Sequence, residues 1–144
     1  MKFSTATIIS ALTVCAANAQ RIAIGSPADG AQLTPGSSFQ VRLDRPNTLT
    51  GSNEIAIVIG LSTCATNACP PASDSMGSFI LYNGTYLPEY HETDKPPYQN
   101  FTVSLPTAAA EGPAMLKVWH VSLVGASRSP FTETLNSTLR IIGQ

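Results

Sequence analysis

The chain has 144 residues, of which 12% are charged, and a formal net charge of −1 with no run of like charges. That balance excludes binding to nucleic acid or to an acidic membrane by bulk charge. The length suits one domain, and ten Gly and eleven Pro among many Ser and Thr favour strands over helices.

In chain order, the first feature is a leader. Lys2 is a short basic head, Phe3 to Val14 an apolar stretch, and Ala17-Asn18-Ala19 a small-residue cleavage pattern. This is the layout of a secretory signal over residues 1–19, leaving residues 20–144 as a single domain that starts at Gln20. The apolar stretch is too short to span roughly 30 Å of hydrocarbon. The C-terminus lacks the apolar tail of a lipid-anchor signal and an ER-retention tetrapeptide, so the chain is expected to be exported, with no membrane insertion. Losing Lys2 leaves seven basic residues against nine acidic ones, a net charge of −2. Cys15 leaves with the leader. The remaining pair, Cys64 and Cys69, reads as a disulfide in an oxidising compartment, closing a short loop for about 2 kcal/mol. A metal site on the same pair would need further ligands, and only His91 and His120 are available.

Strands are expected next. Arg21 to Ile24 is followed by turns at Ser26–Gly30 and Leu33–Gly36. Phe39 to Leu43 alternates with period two, placing Phe39, Val41 and Leu43 on one face. Glu54 to Leu61 is apolar almost throughout and reads as a central strand covered on both faces. Phe79–Tyr82, Asn83-Gly84 and Thr85–Leu87 have the form of a hairpin. After a Pro-rich loop come strands over Tyr98–Leu105, Met115–Val124 and Thr132–Ile142, and Thr107–Glu111 forms one helical turn at most. Seven or eight short strands predict an all-β, immunoglobulin-like β-sandwich, with a small barrel as the alternative. Around Trp119 both parities are apolar, and the register stays open.

Three N-x-[ST] sequons follow the leader, at Asn83, Asn100 and Asn136. Glycans must face water. Asn100 lies opposite in parity to Phe101, Val103 and Leu105, and Asn136 to Leu135, Leu139 and Ile141. Both strands therefore separate a glycan face from a core face.

No catalytic constellation emerges. There is no G-x-S-x-G elbow. His120 sits in an apolar strand and reads as a hydrogen-bonded core or edge histidine, and His91 as a solvated loop residue. A copper brace needs His as the first residue after the leader, where Gln20 stands. Glu89, Glu92 and Asp94 could suggest a glycosidase pair or a hard-cation site, yet read best as a polar loop. Tyr82, Tyr86, Tyr90 and Tyr98 could form a platform for sugars or anchor a protein interface, yet most read best as half-buried packing residues. The loop from Tyr86 to Tyr98, with Tyr86, Tyr90, Glu92 and Tyr98, is the first expected binding surface.

Segments across nearly the whole chain carry a resemblance: RIAIGSPADG, RPNTLTGSNEIAIVIGL, PPYQNFTVSLP and LKVWHVSLVGASRSPFTETLNSTLRI. With them the chain resembles the fungal necrosis-inducing secreted protein family. The cysteine pair and the sequon near the C-terminus fall where that family has them. The resemblance implies an extracellular effector that provokes plant cell death or suppresses immunity by binding immune-receptor-associated kinases. It brings no catalytic motif and no cofactor. The expected molecule is a non-enzymatic monomer with a host-protein partner; the alternative is a cell-wall polysaccharide-binding module.

Overall fold

The computed structural model describes residues 21–64 and 69–143. The expected leader and Gln20 lie outside the described residues.

Two sheets form the fold. β1 (Ala23–Ser26), β3 (Ser38–Asp44) and β6 (Tyr98–Ser104) make a three-stranded sheet in the order β1-β3-β6. β2 (Ala31–Leu33), β8 (Ser129–Ile141), β7 (Gly112–Val124), β4 (Ser52–Thr63) and β5 (Phe79–Gly84) make the second, in that order. All pairings are antiparallel except β2 with β8. The first edge is split between the sheets: β1 pairs with β3 and β2 with the last strand. With β3 on β6 and β4 on β7, this is the Greek-key arrangement of an immunoglobulin-like sandwich.

The core lies between the sheets. Val41 and Leu43 face inward from β3, and Phe101 and Val103 from β6. Ile57, Ile59 and Leu61 of β4 meet Leu116 and Val118 of β7, and all five are fully buried. Each such side chain contributes roughly 1.5–3 kcal/mol of burial. The period-two faces expected for β3 and β6 hold: Asn100, Thr102 and Ser104 are exposed while Phe101, Val103 and Leu105 are buried.

Around Trp119 the register is now fixed. Ala114, Leu116, Val118, His120 and Ser122 face the core. Met115, Lys117, Trp119 and Val121 face outward, where a segment through Ala72 and Met76 covers part of the sheet. Lys117 is buried beneath it, donating from Nζ to Ser75 O at 2.8 Å. Gly60 permits the cover, because a Cβ there would clash with Met76 O. Cys64 and Cys69, bonded to each other, stand where this segment departs from β4.

Two expectations are corrected. The hairpin does not form: β5 runs on through Asn83 and Gly84, pairs only with β4, and leaves Thr85–Leu87 unpaired. Asn-Gly permits a tight turn without imposing one, and here the next residue but one, Tyr86, is drawn into the core, its hydroxyl donating to Leu43 O at 3.1 Å. A short strand was also not anticipated. β2 has three residues in parallel register with Leu139–Ile141, too short to show alternation.

Candidate functional site

Loops gather at one end of the sandwich. Residues 45–51 join β3 to β4, residues 85–97 join β5 to β6, and residues 125–128 join β7 to β8. In an immunoglobulin-like sandwich, connections at this end can form one surface. Three contacts bind them here: Arg45 N donates to Pro97 O at 2.8 Å, Gly125 N to Gly51 O at 2.8 Å, and the Tyr90 hydroxyl to Asn47 Oδ1 at 2.5 Å. Large apolar side chains project from the tips: Leu49 is 108% exposed, and Leu87 and Tyr90 are each 64% exposed. Between them lie clefts of about 330 Å³, lined by Arg45, Glu54, Leu87 and Glu89, and of about 550 Å³, between Leu49 and Arg128.

Beneath the loops the core turns polar. His120 has no exposed surface, and its Nδ1 lies 3.0 Å from Glu133 Oε1. Its Nε2 lies 2.5 Å from Glu54 Oε2. Each carboxylate is capped by an arginine: Arg21 Nε donates to Glu133 Oε2 at 3.2 Å, and Arg45 Nε to Glu54 Oε1 at 2.8 Å. Glu133 also accepts from Ile22 N at 2.8 Å, and Glu54 from the Ser52 hydroxyl at 2.5 Å. The chain of five ionisable groups therefore links the segment just ahead of β1, β8, β7, β4 and the 45–51 loop. The His120 ring meets Tyr86 edge-on, centroids 5.5 Å apart.

Register explains the assembly. His120 stands directly opposite Glu133 on the β7–β8 ladder. Glu54 pairs with Ser122 and is followed by a bulge in which Ile55 is the extra residue. The bulge lets Glu54 reach inward while Ile57, Ile59 and Leu61 keep their core face.

Burial works against charge on His120, but its hydrogen bonds to Glu133 and Glu54 outweigh it and hold the imidazole pKa above its ordinary value. Burial likewise opposes ionisation of Glu54; the hydrogen bonds from His120, Ser52 and Arg45 and the nearby His120 charge prevail, and its pKa is lowered. Burial pushes the Tyr86 phenol up, with the Glu54 and Asp44 charges adding to the effect. With imidazolium between two carboxylates, both ring N–H groups donate. Both ring nitrogens are thus engaged by carboxylates of neighbouring strands.

The four tyrosines do not share a platform. Tyr86 was expected on the binding surface but is fully buried, because the core offers its ring Phe101 and His120 and its hydroxyl Leu43 O. Tyr82 packs on Phe101 with centroids 4.7 Å apart. Tyr98 lies on the outer side of the three-stranded sheet, half-buried, beside His91 at 4.5 Å and beneath the Arg42 guanidinium at 5.4 Å. Glu92 pairs with Lys95 at 2.9 Å, and that hydrogen bond leads in lowering its pKa. Only Tyr90 is widely exposed. Asn83, Asn100 and Asn136 are all exposed.

Glu54 and Glu133 were not singled out from the sequence. The available signal was parity: Glu133 shares the core face of Leu135 and Leu139, as His120 shares that of Leu116 and Val118. Charged residues at core positions of neighbouring strands mark a buried network. Among the described residues no group of His, Cys, Asp and Glu is placed to hold a metal ion, and no helix is long and apolar enough to cross a membrane.

Comparison with curated proteins found no match. The Nis1 family model, in contrast, matches residues 17–140, which takes in β1 to β7 and β8 as far as Arg140. The chain therefore belongs to the Nis1 family, an effector-like family of fungi.

Proposed function

We propose that this is an exported, non-enzymatic effector-like protein that binds a host protein through the loop end of its sandwich. By the family resemblance the partners are immune-receptor-associated kinases, and the outcome is suppressed plant immunity, cell death or both. Family membership over residues 17–140 carries the reading. The structure lends support in two ways. The Cys64–Cys69 bond is compatible with an extracellular protein. Leu49 stands on the loop held at its base by the Arg45–Glu54–His120–Glu133 network, and Leu87 and Tyr90 on the loop tied to it through Pro97 and Asn47, which gives an apolar tip on a rigid base.

The test is capture of immune-receptor kinase domains by the chain from residue 20 onward, beside a Leu49→Ser, Leu87→Ser, Tyr90→Ala variant. The expected result is binding and a damped oxidative burst with the natural chain, both lost in the variant at unchanged melting temperature. Absence of both effects with the natural chain overturns the proposal. The polysaccharide-binding alternative predicts co-sedimentation with chitin, glucan or cellulose. Its tyrosine platform is reduced to Tyr90 and the edge of Tyr98.

A further inference from the structure

The outer face of the five-stranded sheet presents an exposed aromatic side chain. Trp119, the one tryptophan in the chain, is 41% exposed there. Its cross-strand partners are Val58 on β4 and Thr134 on β8. Two of the three sequons share this face. Asn83 lies opposite Val58, two strands from Trp119 and so roughly 10 Å away. Asn136 lies nearer. It pairs with Lys117, which makes it the diagonal neighbour of Trp119, at about 7–8 Å.

The Asn136 side chain is oriented. Ala72 N donates to Asn136 Oδ1 at 2.8 Å. A backbone N–H only donates, so the oxygen must face Ala72 and Nδ2, the atom that would carry a sugar, faces away. On the Lys117 side the way is closed by the covering segment, held by Lys117 Nζ on Ser75 O. Trp119, at the diagonal position on the same outer face, lies within reach of the first sugars carried by Nδ2.

We infer that a glycan on Asn136 lays its first sugars across the Trp119 ring, so that the chain's own carbohydrate covers the apolar outer face of the five-stranded sheet. A pyranose ring offers an apolar face of C–H groups, and an indole offers a large flat one that gains by leaving water. The glycan is attached already, so ordering it loses no translational freedom. This inference rests on the export reading, since sequons are glycosylated only on the secretory route.

Secretion of the full chain from a glycosylating eukaryotic host provides the test. Site occupancy is read by mass, and exposure of Trp119 by acrylamide quenching of its fluorescence. Covering one side of the ring removes about half of its accessible area, so the quenching constant should rise about twofold when the sugars are removed completely. Trimming to a single sugar at each site should leave most of the protection. Asn136→Gln should reproduce the rise and Asn83→Gln should not. The enzymatic arm stands independently of any disturbance that Asn136→Gln causes at Ala72. Equal quenching before and after removal, or a secreted chain sugared at Asn83 or Asn100 but not at Asn136, overturns the inference alone. A chain retained in the cell with Met1 in place overturns it together with the export reading.

Discussion

Along the inner face of β7 the two halves differ. Ala114, Leu116 and Val118 meet aliphatic neighbours, whereas His120, on the same face, meets Glu133 and Glu54. The apolar half is held by burial, which has magnitude but little direction. The polar half is held by hydrogen bonds, which fix angles as well as distances. The directional half lies beneath the loops, where Arg45 and Arg21 must be placed accurately. The non-directional half lies towards the far end, where only the two sheets need to be held together.

Removing one member of the polar half should have the largest effect. His120→Ala leaves two buried carboxylates facing each other and should cost about 3–5 kcal/mol, read as a lower urea midpoint. In the apolar half, Leu116→Ala should cost about 3 kcal/mol through its cavity, with the loop end unchanged by amide exchange. If the two variants opened the same loops equally, the distinction between the halves would fail.

The halves should also differ in pH response. The raised pKa of His120 gives stability that is complete below its ordinary value of about 6.5 and is lost as pH rises through the raised value. The lowered pKa of Glu54 gives stability that is present above about 4.5 and is lost as pH falls through the lowered value. Urea midpoints should therefore be highest between these limits. Leu116→Ala should keep that profile, and His120→Ala should abolish its alkaline limb. Tyr86→Phe, which removes only the hydrogen bond to Leu43 O, should lower stability by about 1 kcal/mol. Lys95→Ala breaks an exposed pair with Glu92 and should leave the midpoint where it is.

Sequence reading succeeded where a strand has one wet face. β3 and β6 alternate because their outer side chains, such as Gln40 and Thr102, meet water, and the exposed faces of Asn100 and Asn136 were legible for the same reason. It stalled at Trp119 because the outer face of β7 is apolar as well, part of it hidden under the segment that buries Lys117. That cover is a tertiary event, and no local pattern announces it. Tyr86 was misplaced on similar grounds: a tyrosine at the start of a polar loop looks exposed until Leu43 O and His120 are seen to receive it. The loop site was half visible. Tyr90 was in the expected segment, but Leu49 and the buried Glu54–His120–Glu133 link required β3, β4, β7 and β8 to be assembled.

The anchoring of Arg21 and Ile22 to Glu133 determines how the molecule can be handled. These two residues enter on the side of the 45–51 and 125–128 loops, because β1 begins opposite Asp44. β8 ends at Ile141, opposite Gly112, at the other pole. An affinity handle joined at that pole would stand away from the apolar tips of the loops and leave them open.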